Sequence, residues 1–205
     1  AALEVLRGLV PGRDALAIGP GLSGHPQTAS VVRSFLAELD ADAPPVVLDA
    51  DGLNAFAGHP ELLRPLAGNV VLTPHPGEFR RLSGCSKADL AERGDDMLAE
   101  LVDRTGAVIL LKGHRTRIAG PGGALSVNDT GNPGMATAGA GDVLTGVIAC
   151  LLAQGLSPFD AARLGARLHG LAGDAAARQT GWAALIATDI LNGLVDVMRA
   201  EEARI

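Results

Sequence analysis

Short apolar runs alternate with longer stretches of helical spacing along this chain, and that alternation restricts its fold more than any other feature. Ala15-Leu-Ala-Ile-Gly19, Pro45-Val-Val-Leu-Asp49, Asn69-Val-Val-Leu-Thr73 and Ala107-Val-Ile-Leu-Leu-Lys112 are apolar at successive positions, with no polar face. A strand of that kind is buried on both sides. Between these runs the spacing predicts helices. One covers 28–39, with Val31, Val32, Phe35, Leu36 and Leu39 on one stripe. A short one follows Asp51-Gly-Leu-Asn54, starting at Leu53, and another runs from Glu78 to Leu82. Ser86 with Asp89 three residues on forms a variant capping box that opens a further helix. Later helices are expected over Val143–Leu152, Pro158–Arg178 (Ser157 as N-cap) and Thr188 to about Ala203. Arg117–Ala119 and Ala124–Val127, joined by Gly-Pro-Gly-Gly, form a hairpin. The reading is an α/β fold, a mostly parallel sheet with helices on both faces.

In such sheets ligands bind at the carboxyl ends of the strands. The unusual residues sit at those ends: Gly19-Pro-Gly21, Asp49-Ala-Asp51, Thr73-Pro-His-Pro-Gly-Glu78 and Lys112-Gly113. Two prolines restrain the backbone around His75, which reads either as a ligand contact or as an exposed residue of a rigid turn. Lys112, at the end of a very apolar strand, either snorkels to solvent or meets a phosphate. Asp49 and Asp51 either hold Mg²⁺ through water or cap the helix that starts at Leu53.

The segment Asn128 to Gly146 carries the strongest chemical signal. A loop of small residues leads into the apolar run Val143–Leu152. A helix start presents unpaired N–H groups and the positive end of the helix dipole, so it suits an anion, commonly phosphate. Gly139 and Gly141 allow close backbone approach. Asp142 among these donors reads as a base or orienting group for an attacking hydroxyl, or as a helix cap. The chain has no P-loop sequence and no Gly-x-Gly-x-x-Gly after a strand.

Composition narrows the classes further. The chain has 205 residues, 47% of them hydrophobic, with a net charge of −6 and no tyrosine. This length predicts one domain. Acidic and basic residues are interspersed and aromatics are scarce, which argues against nucleic-acid binding. No apolar run is long enough to cross a bilayer. Cys85 and Cys150 are too few for a disulfide framework and lack metal-ligand spacing, so no protein metal site is assigned. Cys150 is expected to be a buried thiol within its apolar helix. Without a secretory leader, these features point to the cytoplasm.

Taken in order, Gly19-Pro-Gly-Leu22, Val47-Leu-Asp-Ala-Asp-Gly-Leu-Asn54, Leu72-Thr-Pro-His-Pro-Gly-Glu78, Leu111-Lys-Gly113, Thr130-Gly-Asn-Pro-Gly-Met-Ala136 and Gly139-Ala-Gly-Asp-Val-Leu-Thr-Gly146 resemble the ADP/ATP-dependent NAD(P)H-hydrate dehydratase family, a branch of the ribokinase-like superfamily. The resemblance covers essentially the whole chain. It implies a ribokinase-like fold and repair of hydrated NADH or NADPH. The hydroxyl of the S epimer is phosphorylated by a nucleotide, ADP in bacterial members and ATP in eukaryotic ones, and phosphate is then eliminated. By this resemblance Asp142 contacts the hydrate and acts as base, while Gly139 and Gly141 line the anion hole. Lys112, Gly113, His114, Arg115 and Thr116 line the nucleotide pocket, and Gly21 and His75 contact the substrate. Mg²⁺ bridges phosphates. Asp51, Asn54 and Asn132 are further candidates. Implied partners are the hydrated dinucleotide, ADP, further copies in a homotetramer, and an NAD(P)H-hydrate epimerase, fused upstream in two-domain members.

Three departures from the family pattern stand out. Ser23 replaces a common glycine, and Ala138-Gly-Ala140 replaces the commoner Gly-Gly-Ser. Members usually carry several dozen residues before the Gly-Pro-Gly-Leu strand. The expectation is therefore a dehydratase domain over 1–205 truncated at its N-terminus, with opening strands missing. It is either a shortened gene product or the tail of a longer protein. Two alternatives stand beside this: a ribokinase-like kinase of a vitamin-precursor alcohol, which the Gly-Ala-Gly-Asp loop allows and the Thr-Pro-His-Pro-Gly-Glu turn argues against, and an inactive nucleotide-binding fragment, suggested by the missing N-terminal segment.

Overall fold

A computed structural model of the protein describes residues 1–40 and 42–202. The sheet has six strands in the order in which they occur: β1 (Leu16–Ile18), β2 (Val46–Leu48), β3 (Val70–Leu72), β4 (Val108–Leu111), β5 (Arg117–Gly120) and β6 (Ala124–Val127). The first four pair in parallel, with Val46 opposite Leu16 and Val70. The last three pair antiparallel, so the expected hairpin forms the far edge. Strand β1 is the opposite edge of the sheet.

Strands β2, β3 and β4 are buried on both faces because alternate side chains enter different cores, whereas β1 at the sheet edge is half-buried with Ala17 exposed, correcting the buried strand expected there. Val46, Leu48, Val70, Leu72, Ile109 and Leu111 join Phe35, Phe56, Phe79, Leu98 and Leu101. These partners come from or flank α2 (Pro26–Leu36), α3 (Ala50–Asn54), α4 (Pro76–Ser83) and α6 (Gly94–Thr105). Val47, Val71, Val108, Leu110 and Ile118 point the other way, onto α7 (Ala140–Ala153) and α8 (Pro158–Thr180). Small residues bring those two helices close: a Cβ on Gly165 would stand 2.7 Å from Ile148 Cγ1. Helix α9 (Ala187–Glu202) lies on α8, burying Ile190 against Ala172 and Ala176.

Ser86 and Asp89 form both halves of the expected capping box at α5 (Lys87–Glu92). Ser157 caps α8 as expected, accepting the Asp160 N–H. Other boundaries shift. Helix α2 starts at Pro26, where His25 supplies the cap, and ends at Leu36. Helix α7 starts three residues before Val143, in a Gly-Ala stretch without an apolar stripe. Ala203, the expected end of the last helix, lies outside the described residues. Helix α1 (Ala2–Leu9), helix α6 and a 3₁₀ segment at Pro60–Leu66 are additions to the elements expected from sequence. Cys150 is exposed, correcting the expected buried thiol. Its helix buries Leu144, Ile148, Leu151 and Leu152, and Cys150 falls on the opposite face.

Candidate functional site

Strand β1 ends in a turn that packs directly on the end of β2. Gly19 has φ +140°, and a Cβ there would lie 1.7 Å from the Asp49 carbonyl oxygen. Only glycine fits such an approach. The Asp49 N–H donates to the Ile18 carbonyl at 3.1 Å. Beyond the turn, the Ser23 N–H donates to Asp51 Oδ2 at 2.8 Å, and Asn54 Nδ2 donates to Asp51 Oδ1 at 3.4 Å. Asp51 and Asn54 thus brace the loop after β1. Ser23, Ala50 and Arg115 hold left-handed φ values of 74°, 47° and 56°. All three follow strand carboxyl ends or lie in turns along this edge, and strained backbone of this kind concentrates at functional sites.

Asp49 stands at the N-cap position of α3, but its side chain makes no capping hydrogen bond. Its carboxylate is buried, taking Lys112 Nζ at 2.7 Å on Oδ1 and the Thr145 hydroxyl at 3.0 Å on Oδ2. Lys112 therefore neither snorkels freely nor waits unpaired for a phosphate. Its ammonium lies between Asp49 and the buried Glu78, whose Oε2 is 3.9 Å away. A low-dielectric setting makes paired carboxylates the natural way to hold that charge in place.

Helix α7 starts directly above this pair. Gly139, in the left-handed conformation at φ +83°, is its N-cap, so the first turn is Ala140-Gly141-Asp142. A Cβ on Gly141 would stand 3.4 Å from both Asp49 Oδ2 and Lys112 Nζ. The free N–H groups of the helix start and the ammonium are therefore neighbours. Together they favour an anion. Asp142 stands in the third helical position, exposed, with no side-chain capping hydrogen bond among the described residues, which disposes of the capping alternative.

His75 has a structural task as well as a site position. Its Nδ1 accepts the N–H groups of Gly77 and Glu78, and Glu78 Oε2 accepts the His75 N–H at 2.8 Å, a reciprocal cap on α4. The other ring nitrogen, Nε2, lies 3.5 Å from Glu78 Oε1 on a half-exposed ring. The Lys112–Thr116 turn closes on itself, the Thr116 hydroxyl donating to the Gly113 carbonyl at 3.0 Å. Gly113, His114 and Arg115 are exposed there, as is Gly21 at the end of β1. The Asn128 N–H donates to the Thr116 carbonyl at 2.8 Å, tying this turn to the loop that leads to α7. Asn132 lies in that loop. Its Oδ1 accepts the Gly134 N–H and its Nδ2 donates to Asp174.

The structure gives Asp49 its partners and adds Glu78, Thr145, His169 and Asp174 to the residues picked out from sequence as site candidates. Thr145 sits in an apolar helix and Asp174 in an alanine-rich one, so no local pattern marks them. His169 is buried on α8 with Nε2 unpartnered among the described residues. Burial pushes its pKa down to about 4, the Ala140 carbonyl opposing and the Lys112 charge adding to the effect. Among the described residues no group of three His, Cys, Asp or Glu side chains could hold a metal ion. Asp49 is committed to Lys112 and Asp51 to its loop. The donor set therefore fits a Mg²⁺ carried largely by phosphates and water, the usual mode for nucleotide-bound magnesium. Among the described residues no helix is long and apolar enough to cross a membrane.

Comparison with known proteins identifies the family. Residues 10–195 match the family model described as NAD(P)H-hydrate dehydratase. The bifunctional NAD(P)H-hydrate repair enzyme Nnr of Moorella thermoacetica is 51% identical over 94% of this chain and 36% of its own length. The ADP-dependent (S)-NAD(P)H-hydrate dehydratase of Neisseria meningitidis is 41% identical over 86% of this chain and 60% of its own. The chain thus spans between about a third and three-fifths of these two relatives. Among solved structures, the Bacillus subtilis ADP/ATP-dependent NAD(P)H-hydrate dehydratase, co-crystallised with ATP/Mg²⁺ and soaked with CoA, aligns with a TM-score of 0.75 and 32% identity. The alignment covers 91% of this chain and 66% of that one.

Proposed function

The chain belongs to the NAD(P)H-hydrate dehydratase family, and on that premise we propose that it carries the phosphoryl-transfer site of an ADP-dependent (S)-NAD(P)H-hydrate dehydratase. The observation that supports this most directly is the α7 head, where Gly141 lies against the Lys112–Asp49 pair and Asp142 follows with its carboxylate uncommitted to a cap. A phosphoryl group at the helix start would meet backbone N–H groups and the ammonium on one side. Asp142 would take the proton of the hydrate hydroxyl as that oxygen attacks phosphorus and the nucleotide leaves. Loss of phosphate from the sugar-linked ring, with loss of the neighbouring C–H proton, then restores the nicotinamide double bond. Hydroxide leaves poorly and phosphate leaves well, which is why a nucleotide is consumed.

Within this reading the turn Lys112-Gly-His-Arg-Thr116 receives the nucleotide, and Gly139 and Gly141 face the transferred group. Gly21 and the half-exposed ring of His75 contact the dinucleotide. Asp51, Asn54 and Asn132 shape the loops around them. Mg²⁺, when bound with the nucleotide, neutralises phosphate charge. The same reading places the enzyme in the cytoplasm as a homotetramer acting beside an epimerase, the second activity combined in bifunctional relatives.

The test is recovery of reduced-nicotinamide absorbance from purified NADH hydrate and NADPH hydrate, with ADP or ATP and magnesium. Nucleotide-dependent recovery is expected. Nucleotide consumption with a thiazole or pyrimidine alcohol instead, and none with either hydrate, would replace this reading with a vitamin-precursor kinase.

A further inference from the structure

The loop that delivers Asp142 is held by a carboxylate on a different helix. Its segment Thr130–Met135 lies in a trough on α8. A Cβ at Gly170 would come within 2.1 Å of Thr130 Oγ1, and one at Gly173 within 2.2 Å of Met135 Sδ. Two glycines three residues apart thus remove side-chain bulk along one helical face, and the loop occupies that space. Glycine in a helix interior carries a propensity penalty, so this surface is built against the helix's own preference.

Asp174 stands one residue beyond Gly173, at the end of the trough. Its Oδ2 accepts the Gly131 N–H at 3.0 Å and its Oδ1 accepts Asn132 Nδ2 at 2.9 Å. Both partners are N–H groups of the loop. Hydrogen bonds to an ionised acceptor are stronger than neutral ones, and this pair is bidentate across consecutive residues. With Nδ2 fixed on Asp174, the Asn132 amide can point only its Oδ1 at the Gly134 N–H, 3.1 Å away. That bond starts the 3₁₀ turn Pro133–Met135, from which three residues lead to the Gly139 cap of α7. At the loop's other end Asn128 Nδ2 donates to the Ala166 carbonyl and its N–H to the Thr116 carbonyl. The nucleotide turn and the α7 head are therefore referenced to one helix.

We propose that Asp174 is a positioning residue, which through Asn132 sets the height and direction of the α7 first turn and so the placement of Asp142. The inference rests on the functional reading above. Its structural part, that the Asp174–Asn132 link orders the loop, stands independently of which reaction the site performs.

The experiment exchanges the two partners. Asp174→Asn leaves one acceptor oxygen for two loop donors. Asn132→Asp sets two carboxylates opposed. The double variant Asn132→Asp/Asp174→Asn restores a carboxylate–amide bond in the reverse sense, while the amide oxygen introduced on α8 still accepts the Gly131 N–H. Two measurements are made on all four proteins: amide exchange over residues 131–135, and kcat and KM for NADH hydrate with ADP. Each single variant is expected to lose loop protection and to lower kcat by about tenfold to a hundredfold, with KM for ADP nearly unchanged, because a displaced reacting group costs rate more than binding. The double variant recovers loop protection and most of kcat, a coupling that two independent effects would not show. A double variant no better than the product of the singles overturns the proposal, as does an Asp174→Asn protein with faster loop exchange and unchanged kcat. If either single fails to fold, Asn132→Ala removes the link from the loop side, and unaltered exchange and kcat there also overturn it. Should the wild-type protein turn over neither hydrate, the functional reading fails, and amide exchange in the four proteins still decides whether the link orders the loop.

Discussion

Lys112 Nζ lies 2.7 Å from Asp49 Oδ1 across the end of β3, joining the carboxyl ends of β4 and β2. Sixty-three positions separate the two residues in sequence. The pair does more than place a charge beneath α7. Asp49 is 2% exposed and has only Thr145 as a second side-chain partner among the described residues, so the ammonium is the main compensation for a buried carboxylate.

Removing that compensation should destabilise the fold as well as the site. Lys112→Met is expected to lower unfolding free energy by about 3 kcal/mol, the low end for breaking a buried pair because Lys112 itself reaches water. Lys112→Met with Asp49→Asn should recover part of the loss. Urea titrations of the three proteins measure both effects. Equal midpoints for wild type and Lys112→Met would show that the pair contributes nothing to folding.

Asp142 makes no such structural contribution. It stands exposed at the third position of α7 without a capping bond among the described residues. Asp142→Asn should therefore keep the melting temperature within a few degrees while turnover of hydrate falls by about a thousandfold or more, the size expected when a base in direct contact with the reacting group is lost. Near-normal turnover in that variant would remove Asp142 from the mechanism.

His169 predicts a pH dependence of stability. Burial holds its folded-state pKa at about 4 against an ordinary 6.5. At neutral pH both folded and unfolded imidazoles are uncharged and the group has no effect. As pH falls below the unfolded value, the unfolded chain takes up a proton that the folded chain refuses, so stability drops until the folded histidine also protonates. The loss reaches about 3 kcal/mol by pH ~4 and about 2 kcal/mol by pH ~5. His169→Gln should flatten this part of the profile. Parallel profiles for the two proteins between neutral and mildly acidic pH would contradict it.

Ser23 occupies a left-handed conformation at φ 74° where the family commonly has glycine. Its side-chain oxygen accepts only a long bond from the His25 N–H at 3.4 Å. A non-glycine residue there costs about 1–2 kcal/mol, partly offset by the greater unfolded-state freedom of glycine. Ser23→Gly is expected to raise stability by about 0.5–1 kcal/mol. A lower melting temperature would mean that the serine hydroxyl matters more than the backbone.

The residues differ in how much of their role could be read without coordinates. Gly139 and Asp142 are picked out because their constraint is local, a small-residue helix start; His75 is marked by its flanking prolines, but its role as the cap of α4 shows only in the structure. Capping boxes such as Ser86 with Asp89 are equally local, and both halves appear. Asp49 could be recognised as unusual but not assigned, since the choice between metal, cap and ion pair depends on a lysine two strands away. Asp174 and Thr145 carry no local signal, because a polar residue on a helix shows its purpose only through what lies opposite. The side of α7 that Cys150 occupies followed from packing rather than from the apolar character of its neighbours.

The amino-acid order by itself determined the parallel sheet, the edge at which the special turns collect, and the small-residue loop ahead of α7, because strand burial, turn conformation and helix capping act over a few residues. Tertiary structure alone decided that Lys112 pairs with Asp49, that α8 holds Asn132 through Asp174, and that α7 sits over both strand ends. Those are contacts between segments far apart in the chain, and their energies exist only once the sheet and its covering helices have packed.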